Sequence, residues 1–133
     1  LGDVYKRQEI ALAEGDLAAA DVASAHAIDE ANALGMLLLE ARARLLQSRI
    51  EVARGNPRLA LTRAQRSLAI ARRLGALYEM AQASLALAEL AAATEGRQRS
   101  ERGRKLARSA ADLFERIGAA NELERARQLA GAR

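Results

Sequence analysis

Glycine residues divide this chain into helical segments of similar length, and this regular division constrains the fold more than any other feature. Residues 36–54 contain neither glycine nor proline, and amino acids of high helix propensity predominate there. Gly55 and Pro57 interrupt the pattern, and a second such segment then runs to Gly75. Glycine takes the left-handed conformation at a helix end without steric cost, and proline fits the first helical position because no backbone donor is needed there. Residues 36–75 are therefore predicted to form two helices joined by a tight turn.

The spacing of apolar and small residues assigns an inner face to each of these helices. Such residues recur every three or four positions, as burial along one side of an α-helix requires. In the first helix they are Leu38, Ala41, Leu45, Ser48 and Val52. In the second helix they are Ala60, Ala64, Ser67 or Leu68, Ala71 and Leu74. Because most of these side chains are small, we expect close antiparallel packing, with Asn56 as the N-cap of the second helix.

This two-helix unit recurs along the chain at a period of about 40 residues. Glycines predicted in the middle of a hairpin are Gly15, Gly55 and Gly96, and glycines predicted to close one are Gly35, Gly75 and Gly118. The predicted domain covers 9–133, with repeats at 9–35, 36–75 and 76–118 and a terminal helix at 119–130. The helix before Gly118 is expected to bury Ile117. A long period built from two helices is typical of an α-solenoid, in which each hairpin stacks on the next.

The composition is consistent with an all-α protein and excludes several other classes. Aromatic residues make up 2% of the chain, strand-forming residues do not alternate, and the absence of cysteine excludes disulfides and thiol chemistry. No apolar run approaches the roughly 18 residues of a membrane span. The net charge of +4 is modest, and the preference for arginine over lysine is typical of a GC-rich bacterial genome. We therefore expect a bacterial protein, and the lack of cysteine is compatible with a reducing compartment such as the cytoplasm.

The first eight residues require a separate interpretation. Residues 1–8 read Leu-Gly-Asp-Val-Tyr-Lys-Arg-Gln, which resembles the translation of a transposase adapter used in preparing sequencing libraries. We therefore expect them to be an assembly artefact, with the biological sequence starting near Glu9 and extending further upstream. The alternative is that they form the start of a native helix.

The turn residues resemble those of the tetratricopeptide repeat family. In that family a glycine and an acidic or amide residue lie between the two helices, and small residues follow at fixed distances. The matching positions are Gly15-Asp16 with Ala20 and Ala27, and Gly55-Asn56 with Ala60 and Ser67. The third unit departs from the pattern because Glu101 stands at the first of these positions after Gly96. The large aromatic residues of the family's first helix are absent, and the period exceeds the usual value of about 34.

These departures resemble the longer, alanine- and leucine-rich repeats of bacterial multidomain regulators. That group includes large ATP-binding transcription activators and the repeat tails of some cyclases and kinases. The resemblance implies a solenoid that binds protein without catalysis, within a signalling or transcription regulator. HEAT-type repeats fit the same period and stay open as an alternative.

No residue pattern indicates an enzyme, so we predict no catalytic, metal or cofactor site. His26 is the only histidine, and no second ligand lies at a spacing that would form a metal site with it. Glycine-rich phosphate-binding motifs are absent. If the chain belongs to an enzyme, the active site would lie in sequence upstream of Glu9.

The resemblance also implies a binding groove, because the first helix of each repeat lines the concave face of tetratricopeptide-like stacks. In this sequence the corresponding residues are Arg42, Leu45, Arg49 and Val52, and one period later Gln82, Leu85, Glu89 and Ala92. An apolar stripe with flanking charges suits an extended peptide or a partner helix. The alternative is that these residues pack against neighbouring domains of the same full-length chain.

A second candidate surface is the most basic segment of the chain. It contains Arg97, Arg99, Arg102, Arg104, Lys105 and Arg108, opposed only by Glu101. Such a segment can contact nucleic acid or another anionic partner, or it can be an ordinary solvated helix face. No aromatic residues are interleaved for base stacking, so we expect a protein partner rather than nucleic acid, and no membrane.

Overall fold

The computed structural model describes residues 15–95 and 101–131 of this 133-residue chain, and the regular secondary structure of that part is entirely helical. Its helices are α1 (Leu17–Leu34), α2 (Leu37–Arg54), α3 (Pro57–Leu74), α4 (Leu77–Glu95), α5 (Glu101–Ile117) and α6 (Ala120–Ala130). The predicted all-α class is thus confirmed there. No helix in those two ranges has both the length and the apolar character needed to cross a membrane. The adapter-like residues 1–8 and the turn at Gly96 lie outside the described residues.

Glycines end the helices as predicted. Gly55 and Gly75 have φ values of 80° and 65°, in the left-handed region that side chains with a Cβ rarely adopt. At the first of these ends, the Gly55 N–H donates to the carbonyl of Val52, and the Asn56 N–H donates to the carbonyl of Glu51. These two bonds satisfy carbonyls in the last turn of α2, so the chain can reverse direction immediately.

Asn56 occupies the N-cap position of α3, as predicted, but its side chain makes no capping hydrogen bond. Its amide Nδ2 donates instead to Oε2 of Glu51 at 2.9 Å. The Glu51 carboxylate is buried, and its other oxygen accepts from Arg54 at 3.1 Å. A buried carboxylate needs these donors more than the exposed helix end needs a cap, because water can satisfy an exposed N–H group.

Arg54 also joins α2 to α1. Its Nη1 donates to Oδ2 of Asp21 at 3.1 Å, and its Nη2 lies 3.5 Å from the carbonyl oxygen of Leu17. The hydrogen bond to Asp21 raises the pKa of the Arg54 guanidinium above its ordinary value. The guanidinium therefore keeps its positive charge at and well above neutral pH.

Each helix packs against the helices next to it in the chain. In addition, α4 contacts both α2 and α6, whereas α3 and α5 make no close backbone approach to each other. The helices α2, α4 and α6 therefore form one layer, and α3 and α5 lie on the other side of α4. In the first layer α2 and α4 are in contact, whereas in the second layer α3 and α5 stand apart. The two grooves described below differ for this reason.

The core is made mainly of alanine and leucine. One cluster joins α3 to α4 through Ala64, Leu68 and Leu87, and another joins α4, α5 and α6 around the fully buried Phe114. Most predicted inner positions are buried, but four of the predictions are wrong: the exposed fractions are 36% for Leu38, 54% for Val52, 43% for Leu74 and 37% for Ile117. All four residues lie in the first or last turn of a helix, where contact with a neighbouring helix that crosses at an angle is lost.

Buried serines connect the helices through their hydroxyl groups. Ser48 on α2 donates to the carbonyl of Ala60 on α3 at 2.7 Å, and Ser67 on α3 donates to the carbonyl of Ala41 on α2 at 2.7 Å. The two bonds are reciprocal, so each helix of this pair supplies one donor and one acceptor. They satisfy hydroxyl groups that would otherwise be buried without partners, and they fix the register of the two helices.

Candidate interaction grooves

The residues predicted to form a groove lie together along α2 and α4. Arg49, Val52, Gln82, Leu85 and Glu89 line a concavity of about 410 Å³. Arg42, Leu45, Arg49 and Gln82 line a second concavity of about 260 Å³. Because Arg49 and Gln82 line both, the two concavities adjoin, and we call them together the α2/α4 groove. Ala92, which was also expected on this face, lines neither concavity.

One ion pair crosses the α2/α4 groove, and a second lies at its border between α4 and α6. Nε of Arg42 on α2 lies 3.3 Å from Oε2 of Glu79 on α4. Nη2 of Arg125 on α6 lies 3.7 Å from Oε2 of Glu89 on α4. Arg49 lies between these pairs, is exposed, and takes part in no ion pair within the described residues. Its guanidinium is therefore the cation of this groove that an incoming carboxylate can reach without breaking an existing pair.

The apolar residues of this groove lie at different depths. Leu45 and Leu85 are each only 7% exposed and form part of its floor. Val52, in the last turn of α2, is 54% exposed and stands at the edge of the larger concavity. A partner would therefore meet Val52 before it reaches either leucine. The sequence pattern placed all three residues on one face but carried no information about their depth.

The basic segment near α5 does not form a single surface. Arg97 and Arg99 lie outside the described residues. Arg104 and Arg108 both reach Glu101, with nitrogen–oxygen distances of 3.4 and 3.3 Å. Arg102 and Lys105 are not ion-paired with this carboxylate and line a different feature, the gap between α5 and α3.

That gap is a second groove, which the sequence analysis did not anticipate. It consists of two concavities of about 360 and 410 Å³, and Leu87, Arg102 and Leu106 line both. We call it the α3/α5 groove. Arg58 and Arg72 approach it from the α3 side.

One feature of the sequence, the composition of α3, could have pointed to this groove. The helix has five arginines and no acidic residue, and two of the five face the gap. The analysis of the basic segment considered only neighbours in sequence. It therefore did not associate Arg102 and Lys105 with cations on another helix.

The remaining candidate from the sequence, His26, lies on the exposed side of α1. Its Nε2 is 3.0 Å from Oε1 of Glu30, one turn further along the same helix. Among residues 15–95 and 101–131, no three histidine, cysteine, aspartate or glutamate side chains come close enough together to hold a metal ion. In comparisons with protein-family models, curated proteins and solved structures, nothing matches this chain.

Proposed function

We propose that this chain is a helical-repeat module that binds a segment of a partner protein in the α2/α4 groove. The repeat interpretation is supported by residues one period apart that occupy equivalent environments. Ala41 and Ala81 are both fully buried, and Leu45 and Leu85 have the same 7% exposure. The contacts of α4 with both α2 and α6 also fit first helices that stack side by side, as in a tetratricopeptide-like solenoid.

The observation that carries the proposal is the position of Arg49 beside Val52. Other groove cations already have partners, since Arg42 pairs with Glu79 and Arg125 pairs with Glu89. The Arg49 guanidinium can donate two hydrogen bonds to one carboxylate, while Val52 contacts an apolar side chain of the same ligand. The preferred ligand is therefore a peptide segment in which an acidic residue lies next to an aliphatic one.

The role of such a module is recognition without catalysis. The tetratricopeptide-like character of the turns favours a place within a bacterial cytoplasmic signalling or transcription regulator. In that setting, the bound segment belongs either to a separate protein or to another domain of the same full-length chain. A segment from either source would present an acidic residue to Arg49 and an aliphatic residue to Val52.

A random peptide library selected on the unmodified protein tests this function. Selected peptides should share an acidic residue beside an aliphatic one. Their affinity, measured by fluorescence anisotropy, should fall at least about tenfold in the Arg49→Glu variant, equivalent to about 1.4 kcal/mol. The matched control is Arg66→Glu, which makes the same charge change on the exposed surface of α3, away from both concavities.

Circular dichroism should show unchanged helicity for both variants, because an exposed arginine contributes little to stability. The proposal is wrong if peptides selected on the unmodified protein bind the Arg49→Glu variant equally well.

A further inference from the structure

The α3/α5 groove has two walls and a floor, which come from three different helices. Both of its walls rest on α4, yet α3 and α5 do not approach each other closely. The floor is therefore provided by leucines of the helix beneath, Leu87 and Leu90. Leu61 on α3 and Leu106 on α5 extend this apolar surface up the two walls. Leu61 is 39% exposed, so part of the apolar surface faces solvent.

The charged residues of the described chain that line this groove all have the same sign. They are Arg58, Arg72, Arg102 and Lys105, and none of them takes part in an ion pair within the described residues. The nearest acidic residue on α5, Glu101, is occupied by Arg104 and Arg108. Four cations thus surround an apolar floor, and no carboxylate among the described residues pairs with them.

The helix ends add to this positive character. Arg58 is the second residue of α3, and Arg102 is the second residue of α5. The N-terminus of a helix carries partial positive charge, so a cation in its first turn is unfavourable and an anion there is favourable. Acidic groups bound in the groove would be attracted by the side chains and by the helix ends together.

We propose that the α3/α5 groove binds an acidic amphipathic helix from a partner protein. Aliphatic side chains on one face of that helix would cover Leu61, Leu87 and Leu106, while glutamates or aspartates beside this face would reach the cations on both walls. This site lies on a different face of α4 from the α2/α4 groove, although Leu90 lines a concavity of each. It does not depend on the function proposed for that groove.

The apolar floor favours a peptide over a nucleic acid as the occupant. A phosphate backbone would neutralise the cations but would leave Leu61 and Leu87 without apolar contacts. Base stacking on aromatic side chains commonly supplies that contact in single-stranded complexes, and none of the described residues that line either concavity is aromatic. An amphipathic helix satisfies the cations and the leucines at the same time.

The test uses a synthetic helical peptide with leucines at i, i+3, i+4 and i+7 and glutamates flanking this stripe. A peptide of the same composition in scrambled order is the control ligand. Fluorescence anisotropy should show binding of the first peptide that is at least about tenfold tighter than binding of the second, since only the first presents a continuous apolar face. Binding should weaken as salt increases, because the attraction is partly between exposed charges.

Two variants separate the contributions of charge and of the apolar floor. The double substitution Arg72→Glu with Lys105→Glu should weaken peptide binding by about tenfold or more, and Leu61→Gln alone should weaken it by about fivefold or more. Arg66→Glu and Arg49→Glu should each leave it within about twofold, because neither residue lines this groove. The Arg49→Glu variant also distinguishes a failure of this proposal from a failure of the α2/α4 proposal. Circular dichroism melting checks that each variant is folded.

Three outcomes overturn the proposal. The first is no binding of the amphipathic peptide at low salt. The second is binding that depends on Arg72 and Lys105 but is insensitive to Leu61, together with tighter binding of duplex or single-stranded DNA, which identifies a phosphate site. The third is a concentration-dependent dimer in sedimentation that Leu61→Gln dissociates, which identifies a second copy of this chain as the occupant.

Discussion

The two grooves differ in how their charges are balanced, and the spacing of the helices explains the difference. In the α2/α4 groove the walls touch, so Arg42 and Glu79 can pair directly across the interface. In the α3/α5 groove the walls stand apart, and the cations on them face solvent. The cations of the first surface are largely paired within the chain, whereas those of the second take part in no ion pair among the described residues. The two layers of helices therefore present surfaces with different charge balance without any difference in secondary structure.

The depth of the leucines gives the largest contrast between the grooves. Leu45 in the α2/α4 groove is 7% exposed, and Leu61 in the α3/α5 groove is 39% exposed. Leu45→Ala should destabilise the protein by about 2–5 kcal/mol, because it removes buried methyl groups and leaves a cavity. Leu61→Ala should change the free energy of unfolding by less than about 1 kcal/mol, as expected of a partly exposed side chain.

Urea unfolding of the two variants measures this contrast. Equal losses of stability would show that the leucines of both grooves are structural, and would remove Leu61 from the proposed docking surface.

The ion pair between α2 and α4 should have a smaller effect. Glu79 is mostly buried and Arg42 is partly exposed, so solvent screens their attraction only in part. A double-mutant cycle with Arg42→Ala and Glu79→Ala should give a coupling energy of about 0.5–1 kcal/mol. The same cycle with Arg108→Ala and Glu101→Ala, a more exposed pair on α5, is the control and should give less.

A coupling energy near zero for the first pair would mean that the α2/α4 groove is not internally neutralised. The contrast between the two grooves would then rest on the leucines alone.

The smallest expected effect concerns the unpaired cations of the α3/α5 groove. Arg102→Gln removes a positive charge from the first turn of α5 and from a surface crowded with other cations. It should stabilise the protein by about 0.3–0.5 kcal/mol at low salt. The gain should disappear in about 1 M salt, where the screening length is only about 3 Å. Thermal melts at the two salt concentrations measure it, and a loss of stability at low salt would indicate that Arg102 has an anionic partner within the chain.

Much of the helical architecture was predictable because its determinants are local. Gly55 and Gly75 end helices through their own backbone conformation, which depends little on the rest of the chain. Residues such as Leu45 and Leu85 were placed on one face by helical periodicity and by the repeat, and the structure brings them to one groove. Nothing in the sequence alone indicated that Glu51 would be buried, so the competing partner of Asn56 could not be foreseen.

The α3/α5 groove was not predictable for a related reason. Its cations come from helices separated by α4 in the chain, and they face one another only because α3 and α5 stay apart. Helical periodicity assigns a face to each residue, but it does not give the distance between two helices that share a neighbour. The charge pattern of α3 was visible, while the surface to which it contributes was not.

The alanine-rich core has a thermodynamic consequence for the whole molecule. Alanine makes up 33 of the 133 residues, and many fully buried positions, such as Ala41, Ala60 and Ala81, are alanines. An alanine loses no rotamer entropy on folding and removes little apolar area from water. The heat-capacity change of unfolding should therefore fall below the usual value of about 12–15 cal/mol/K per residue. A smaller heat-capacity change gives a flatter curve of stability against temperature, so this scaffold should hold its grooves in place over a wide thermal range.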